Sequence, residues 1–352
     1  MKKELTEKKK RQYSDREQIS LQKIARECGV SLMTVSRALR RLSSVKEGTR
    51  KKIFETAERL GYLRSGRAGR KAAKREDLHS RPVQIIAGET AGGMPRFHAE
   101  LVLDLVRMLA ACKYECLVHV SDGSYREFTR VLANSSRADV EASIIVGSFR
   151  EKELRSLLAA LPGAILIEDT DKSFYESTYS SFSFDNERAA ALVVNHFIKK
   201  NRKKILLVSG PSEHFFTKEV EEGYKKALKE NSVSINEKYI LYTDFSPGCA
   251  EKVVGELWDK GERFDAVFTN DEMAGGVYRA LLSRSLKIPE DVAVCGCDDL
   301  PLGEQFYPRL STVVLDHTLL ARQVVEKITG GDLAVNPVSV RLLPFLRIRE
   351  SS

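Results

Sequence analysis

The chain predicts a small all-α helix-turn-helix head followed by an α/β core of two doubly wound lobes. Three observations lead there. Apolar residues recur at helical spacing between Ile19 and Leu63. From Pro82 to the end, short β-rich runs alternate with amphipathic segments. Between them, RSGRAGRKAAKREDLHSR (64–81) is nearly devoid of large apolar side chains and dense in Arg, Lys, Gly and Ala, the composition of a linker. The expected organisation is a basic leader (1–18), a head (19–63), a hinge or linker (64–81) and a core (82–352).

In the head, Leu21, Ile24, Ala25 and Cys28 fall at i, i+3, i+4 and i+7, one face of a first helix. Gly29-Val30-Ser31 breaks it, and Ser31 is placed to accept a hydrogen bond from a free amide of the next turn. Val35, Ala38 and Leu39 form the inner face of a second helix. A third runs from Thr49 to Leu60, with Ile53, Ala57 and Leu60 inward, and Gly61 stops it.

In the core, strands are expected at 83–87, 116–120, 143–147, 164–168, 204–210, 264–269 and 291–296. Helices fill the gaps near 97–112, 125–136, 187–200, 217–231, 249–260, 272–285 and 318–329. Such alternation implies parallel sheets with right-handed crossovers, covered on both faces. About ten strands over some 270 residues would overfill one sheet, so two lobes with a cleft between them are expected. Ligands bind at the carboxyl ends of such strands.

The charge is uneven. The 352 residues carry a net +8, yet residues 1–81 hold 24 Lys and Arg against 10 Asp and Glu, leaving the remainder at −6. A basic head on a mildly acidic body points to a polyanion partner for the head alone. No stretch of 18 apolar residues is present and no apolar segment follows the charged start, so a cytoplasmic protein with no membrane partner is expected. Six scattered cysteines make a poor disulfide framework and are expected as inert, buried thiols. Cys112 and Cys116 could share a helix one turn apart, and Cys295-Gly296-Cys297 lies at an expected strand end, but neither has a usual zinc spacing, so no metal is expected.

Two short helices joined by a glycine turn and followed by a third form a helix-turn-helix, whose second helix enters the major groove. Ser31, Thr34, Ser36 and Arg37 supply hydroxyls for phosphate or base edges and a guanidinium suited to guanine; Arg40 adds a further cation. A small helical bundle with a polar surface is the plainer alternative. At these residues the likeness becomes specific. Ile19 to Ala25, Gly29-Val30-Ser31, Thr34-Val35-Ser36-Arg37, Val45, Thr49-Arg50 and Leu60-Gly61-Tyr62 closely resemble the DNA-binding domain of the lactose-repressor (LacI/GalR) family of bacterial transcription regulators. The likeness continues through Gly210-Pro211, Thr269 to Ala274, Ile288 to Val294, Gly296 to Asp299 and Leu346 to Ser351.

That resemblance implies operator DNA as partner, a homodimer formed through a periplasmic-binding-protein-like core, and a small-molecule effector, by family habit a carbohydrate, between the lobes. It also implies that Leu32 and Met33, the first two residues of the recognition helix, reach base edges, where apolar side chains can select a thymine methyl. The family's hinge leucine falls at Lys71, within a stretch carrying Gly66 and Gly69. Each glycine costs a helix roughly 1 kcal/mol against alanine, so Arg67, Arg70 and Lys71 entering a narrow minor groove as a basic arm is the alternative.

For the effector, the resemblance marks Asn270 and Asp298 as polar ligands at strand ends and Phe245 as a stacking aromatic. Glu168 is a further candidate carboxylate. Where sugar-binding members carry an arginine, three residues before Gly223-Tyr224, this chain has Val220, and Lys218 is the nearest cation. Three other functions compete. A solute-binding protein would need an export signal and no helix-turn-helix. An enzyme would need a motif, and G-x-S-x-G, P-loop, G-x-G-x-x-G and H-E-x-x-H are all missing, so neither catalysis nor a cofactor is expected and the six histidines read as structural or surface. A regulator that has stopped sensing a sugar differs only in the core.

Overall fold

The computed structural model describes residues 21–31, 34, 35, 38, 46–59, 81–88, 93–121, 124–135, 139–147, 149–168, 179–330 and 337–352. The chain divides into two units, Met1–Glu76 and Asp77–Ser352.

In the first unit, α1 (Leu21–Cys28) and α2 (Glu47–Arg59) flank helical backbone at Thr34, Val35 and Ala38. Ile24, Val35, Ala38, Ile53 and Ala57 are fully buried and form one core, as the 3.6-residue spacing requires. Gly29 turns the chain at φ +68°, a left-handed conformation that glycine adopts without Cβ strain. Ser31 then accepts the Thr34 amide at 3.1 Å, the expected cap. Glu27 accepts from Arg59 at 2.5 Å, tying α1 to α2. Leu39 and Leu60, expected in this core, and residues 64–80 of the expected linker lie outside the described residues.

The second unit holds two sheets. The strands are β1 (Val83–Gly88), β2 (Cys116–Ser121), β3 (Ala142–Gly147), β4 (Ile165–Ile167), β5 (Ser180–Phe184), β6 (Ile205–Ser209), β7 (Ile240–Tyr242), β8 (Ala266–Phe268), β9 (Ala293–Cys297), β10 (Ser311–Val314), β11 (Ser339–Leu342) and β12 (Phe345–Arg347). One sheet has the order β11-β5-β4-β3-β1-β2 and is parallel throughout. The other has the order β12-β10-β9-β8-β6-β7, parallel except where β12 pairs with β10. The two orders are the same pattern, each with one strand lent from the C-terminal end. Successive buried residues point to opposite faces: Ile85, Ile144 and Ile165 enter one core, Ile86, Ile145 and Leu166 another.

The helices are α3 (Arg96–Ala111), α4 (Tyr125–Ser135), α5 (Glu151–Ala160), α6 (Asn186–Lys199), α7 (Phe215–Glu230), α8 (Pro247–Asp259), α9 (Asp271–Leu282) and α10 (His317–Thr329). The chain passes between lobes three times, after β5, after β10 and between β11 and β12. As a result α6 packs on α7 of the second lobe, while α10 packs back on α3 of the first.

The strands and helices expected in the core all appear with shifted ends; β5, β7, β10, β11, β12 and α5 were not anticipated. β5 reads SSFSF, a run whose serines mimic a loop, yet Phe182 and Phe184 are buried. Cys112 and Cys116 do not share a helix: Cys112 caps α3 and Cys116 opens β2. Cys28, Cys295 and Cys297 are buried, but Cys112, Cys116 and Cys249 are only half-buried. Among the described residues no group of His, Cys, Asp and Glu could hold a metal, and no helix is long and apolar enough to cross a membrane.

Candidate functional site

A cleft of about 420 Å³, measured to its open mouth, is lined by Pro95, Phe97, His98, Glu168, His214, Phe215, Phe216, Phe245, Asn270, Asp298 and Leu315. Every one of these follows a strand: β1, β4, β6, β7, β8, β9 or β10. The cleft therefore opens at the carboxyl ends of both sheets, where parallel strands leave side chains of successive loops converging.

Local structure fixes the polar groups. Glu168 ends β4 at φ 57°, and its Oε1 accepts the Phe184 amide of β5 at 3.0 Å. Asn270 caps α9, its Oδ1 accepting the Met273 amide at 2.9 Å. Asp298 leaves β9 at φ 113°, with its amide donating to Val313 O at 2.9 Å. The C-terminal run Leu346 to Ser351 holds that loop. Arg347 and Arg349 both pair with Asp299, and Ser351 Oγ donates to Val294 O at 2.6 Å while accepting the Ser311 amide at 2.8 Å.

Phe245 also sits at positive φ, 67°, and its ring lies over the α-carbon of Gly210, where a Cβ would collide with it. That close approach is a physical reason for glycine in Gly210-Pro211. The ring meets His214 edge-on at 4.9 Å between centroids, and His214 stands 4.8 Å from Phe215.

The electrostatics are one-sided. Glu168 and Asp298 are buried carboxyl groups, and among the described residues no Lys or Arg lines the cleft. Burial first, then Asp271, Glu272 and Glu168, raises the Asp298 carboxyl well above the usual range. Burial lowers His98 to about 4; burial, then neighbouring His98, lowers His214 to about 3, so both imidazoles are neutral near pH 7. His98 Nδ1 is buried with no hydrogen-bond partner among the described residues.

Of the effector candidates, Glu168, Phe245, Asn270 and Asp298 converge here. Lys218 does not: it is 57% exposed, pairs with Glu213 at 3.5 Å, and is absent from the lining. Val220 is buried in the core and brings nothing polar. The histidines require the opposite correction, since His98 and His214, expected to be structural or surface residues, line the cleft. Their places just after β1 and β6 were the available signal. In the head, Ser31 and Thr34 are described, their hydroxyls 2.8 Å apart. Leu32, Met33, Ser36, Arg37, Arg40, Arg67, Arg70 and Lys71 lie outside the described residues.

With head, sheets and cleft in place, the comparisons with known proteins agree. Residues 20–65 match the family described as bacterial regulatory proteins, lacI family, and residues 194–352 match a periplasmic binding protein-like domain. Catabolite control protein A of Priestia megaterium is 30% identical over 300 residues, 84% of this chain and 87% of the relative. A structure described as the transcriptional regulator CelR-cellobiose complex superposes with a TM-score of 0.70 at 24% identity, covering 95% of this chain and all of that one. The lac repressor dimer bound to operator and the anti-inducer ONPF gives 0.68 at 21%, covering 95% and 98%.

The fold and cleft define a DNA-binding transcription regulator with an effector domain. The chain belongs to the LacI family, whose members are regulators and not enzymes.

Proposed function

We propose that this protein is a repressor that binds a palindromic operator as a homodimer and changes its DNA affinity when a small molecule fills the cleft between the lobes. The observation that carries the reading is the cleft itself, shared by loops of both sheets. A ligand touching both lobes binds one lobe arrangement better than another and shifts the population accordingly. The effector ligands are Glu168, Phe245, Asn270 and Asp298, joined by His98 and His214, and Lys218 has no part. A sugar or sugar derivative is the first class to test, since a ring can stack on Phe245 while hydroxyls meet carboxylate and amide.

In the head, Leu32 and Met33 read base edges; Ser31, Thr34, Ser36, Arg37 and Arg40 hold register on phosphate and base; Arg67, Arg70 and Lys71 supply a basic arm at the centre of the site. The boundaries are 19–63 for the head, 64–81 for the hinge and 82–352 for the core, and the site of action is the cytoplasm, where the DNA is. Dimerisation is supported by exposed apolar side chains: Leu117, Val118 and Val120 on the sheet-edge strand β2, and Leu103 on α3. Selection of bound genomic fragments by the full-length protein, followed by mobility shifts with and without sugars, tests the reading. Absence of any preference over scrambled duplex at moderate salt overturns it.

A further inference from the structure

The C-terminal run Leu346 to Ser351 is the part of the sequence likeness that contributes no side chain to the cleft lining. It follows the third chain crossing between the lobes. Strand β11 lies at the edge of the first sheet against β5, and β12 joins the second sheet antiparallel to β10. Only Leu343 and Pro344 lie between the two strands. A connection this short lets the facing strand ends separate by no more than about 11 Å, and proline fixes one of its torsions. A displacement of one lobe against the other is therefore passed along the backbone and not absorbed by a loop.

Both ends of this segment grip elements that carry cleft residues. On the first-lobe side, Arg341 of β11 donates to Glu219 of α7, the helix that begins with Phe215 and Phe216, and Leu342 O accepts the Asp185 amide where the first crossing enters α6. On the second-lobe side, Arg347 and Arg349 both donate to Asp299, the residue next to Asp298. The Arg349 side chain is 8% exposed and is itself fixed, donating to Leu310 O at 2.6 Å and pairing with Glu304 at 2.6 Å. The turn they hold is strained: Asp298 and Asp299 lie at φ 113° and 56°, two successive side chains in the left-handed region. Asp271 braces the turn from beyond it, accepting the Leu300 amide at 2.7 Å and the Thr312 hydroxyl at 2.6 Å. Strained backbone persists only where its surroundings over-determine it, so the place of the Asp298 carboxyl depends on where β12 holds Asp299.

Resting on the reading of this cleft as the effector site, we propose that residues 341–349 link effector binding to lobe arrangement, with Arg347 and Arg349 as positioning residues that set the Asp298 turn according to the place of β11. An effector that engages Asp298 favours the held form of the turn and, through β12, the lobe arrangement that goes with it. Such coupling is reciprocal, so a lobe arrangement favoured by DNA alters effector affinity through the same residues. One continuous stretch of backbone is its physical carrier.

The test uses the full-length protein. One variant carries two glycines inserted after the exposed Leu343, which adds about 7 Å of slack and touches no cleft residue; the other is Arg347→Ala. Hydrogen exchange without ligand is expected to quicken about tenfold at the Asp298 and Leu300 amides in both variants, with the β6 amides unchanged. Unchanged exchange at the turn, or a uniform rise that includes β6, overturns the proposal. Calorimetry and mobility shifts then use cellobiose and D-glucose as probes, with a genomic fragment that the parent protein selects. A probe that changes the parent's DNA affinity should bind the insertion variant within about threefold of the parent, yet change its DNA affinity by at least about fivefold less. An insertion variant that responds as fully as the parent overturns the link and leaves the cleft as effector site. Probe affinity indifferent to Asp298→Asn overturns the cleft reading instead, and the link with it. If neither probe binds, the exchange result alone decides.

Discussion

Two neighbouring glycines on α9 should respond to the same substitution with opposite signs. Alanine at either position gains helix propensity, about 0.8–1.0 kcal/mol. At Gly275 the added Cβ meets only Phe306 Cζ at 3.6 Å and Arg279 Nη1 at 3.8 Å, ordinary contacts with side chains that can adjust. At Gly276 it would run into the Pro247 carbonyl oxygen and come within 2.8 Å of the Glu251 amide, backbone of α8 that cannot move without separating the two helices. Overpacking of this kind costs about 1–3 kcal/mol, and more where backbone is the obstacle. Gly275→Ala should therefore stabilise by up to about 1 kcal/mol, whereas Gly276→Ala should destabilise by about 2 kcal/mol after the propensity gain is deducted. Urea unfolding of the two variants and the parent, with equal m-values, measures both. The reasoning fails if both substitutions move the midpoint in the same direction.

Three further outcomes follow from individual side chains. Arg341 of β11 donates to Glu219 of α7 at 2.5 Å, and Asn186 donates to the other carboxylate oxygen at 2.9 Å, so a strand of one lobe grips a helix of the other. Arg341→Ala removes one partner of a buried carboxylate, and because the guanidinium is 37% exposed the cost is discounted to about 2 kcal/mol. A double-mutant cycle with Glu219→Ala should show coupling, and strict additivity would contradict it. In the head, Ser31→Ala should cost about 1 kcal/mol through the lost cap, read as a lower melting point of the DNA-binding unit, with Ser31→Thr largely restoring it. Asp271, fully buried, is raised to about 7, chiefly by burial and against the hydrogen bonds from Thr312 and the Leu300 amide. Its contribution is whole below the unfolded value near 3.9 and is lost as pH rises through 7, a fall of up to about 4 kcal/mol. The stability difference between parent and Asp271→Asn should therefore narrow or reverse between pH 4 and 7.5, and a flat difference would refute the assignment.

Much of this was legible in the chain. The 3.6-residue spacing of Ile24, Val35, Ala38, Ile53 and Ala57 specified the head's core, because local geometry alone decides which residues share a helix face. Seven strand runs announced the doubly wound lobes, and continuous apolar runs such as VQIIA mean burial on both faces. Asn270, Asp298 and Phe245 were marked by the family resemblance and Glu168 by its place at the end of an expected strand; all four meet because parallel strands deliver their carboxyl ends to one rim.

What tertiary structure alone decided is which side chains share that rim. Lys218 lies only one turn of helix from the cleft residues Phe215 and Phe216, yet it faces solvent and Glu213. His98 and His214 stand 116 positions apart and still influence one another, because β1 and β6 end at the same opening. The strands β10, β11 and β12 are only three or four residues long, too short to announce themselves by periodicity, and neighbouring strands supply their hydrogen bonds. Sequence records which faces must be buried; it does not record which distant loops meet, since that meeting depends on strand order and on three chain crossings between the lobes.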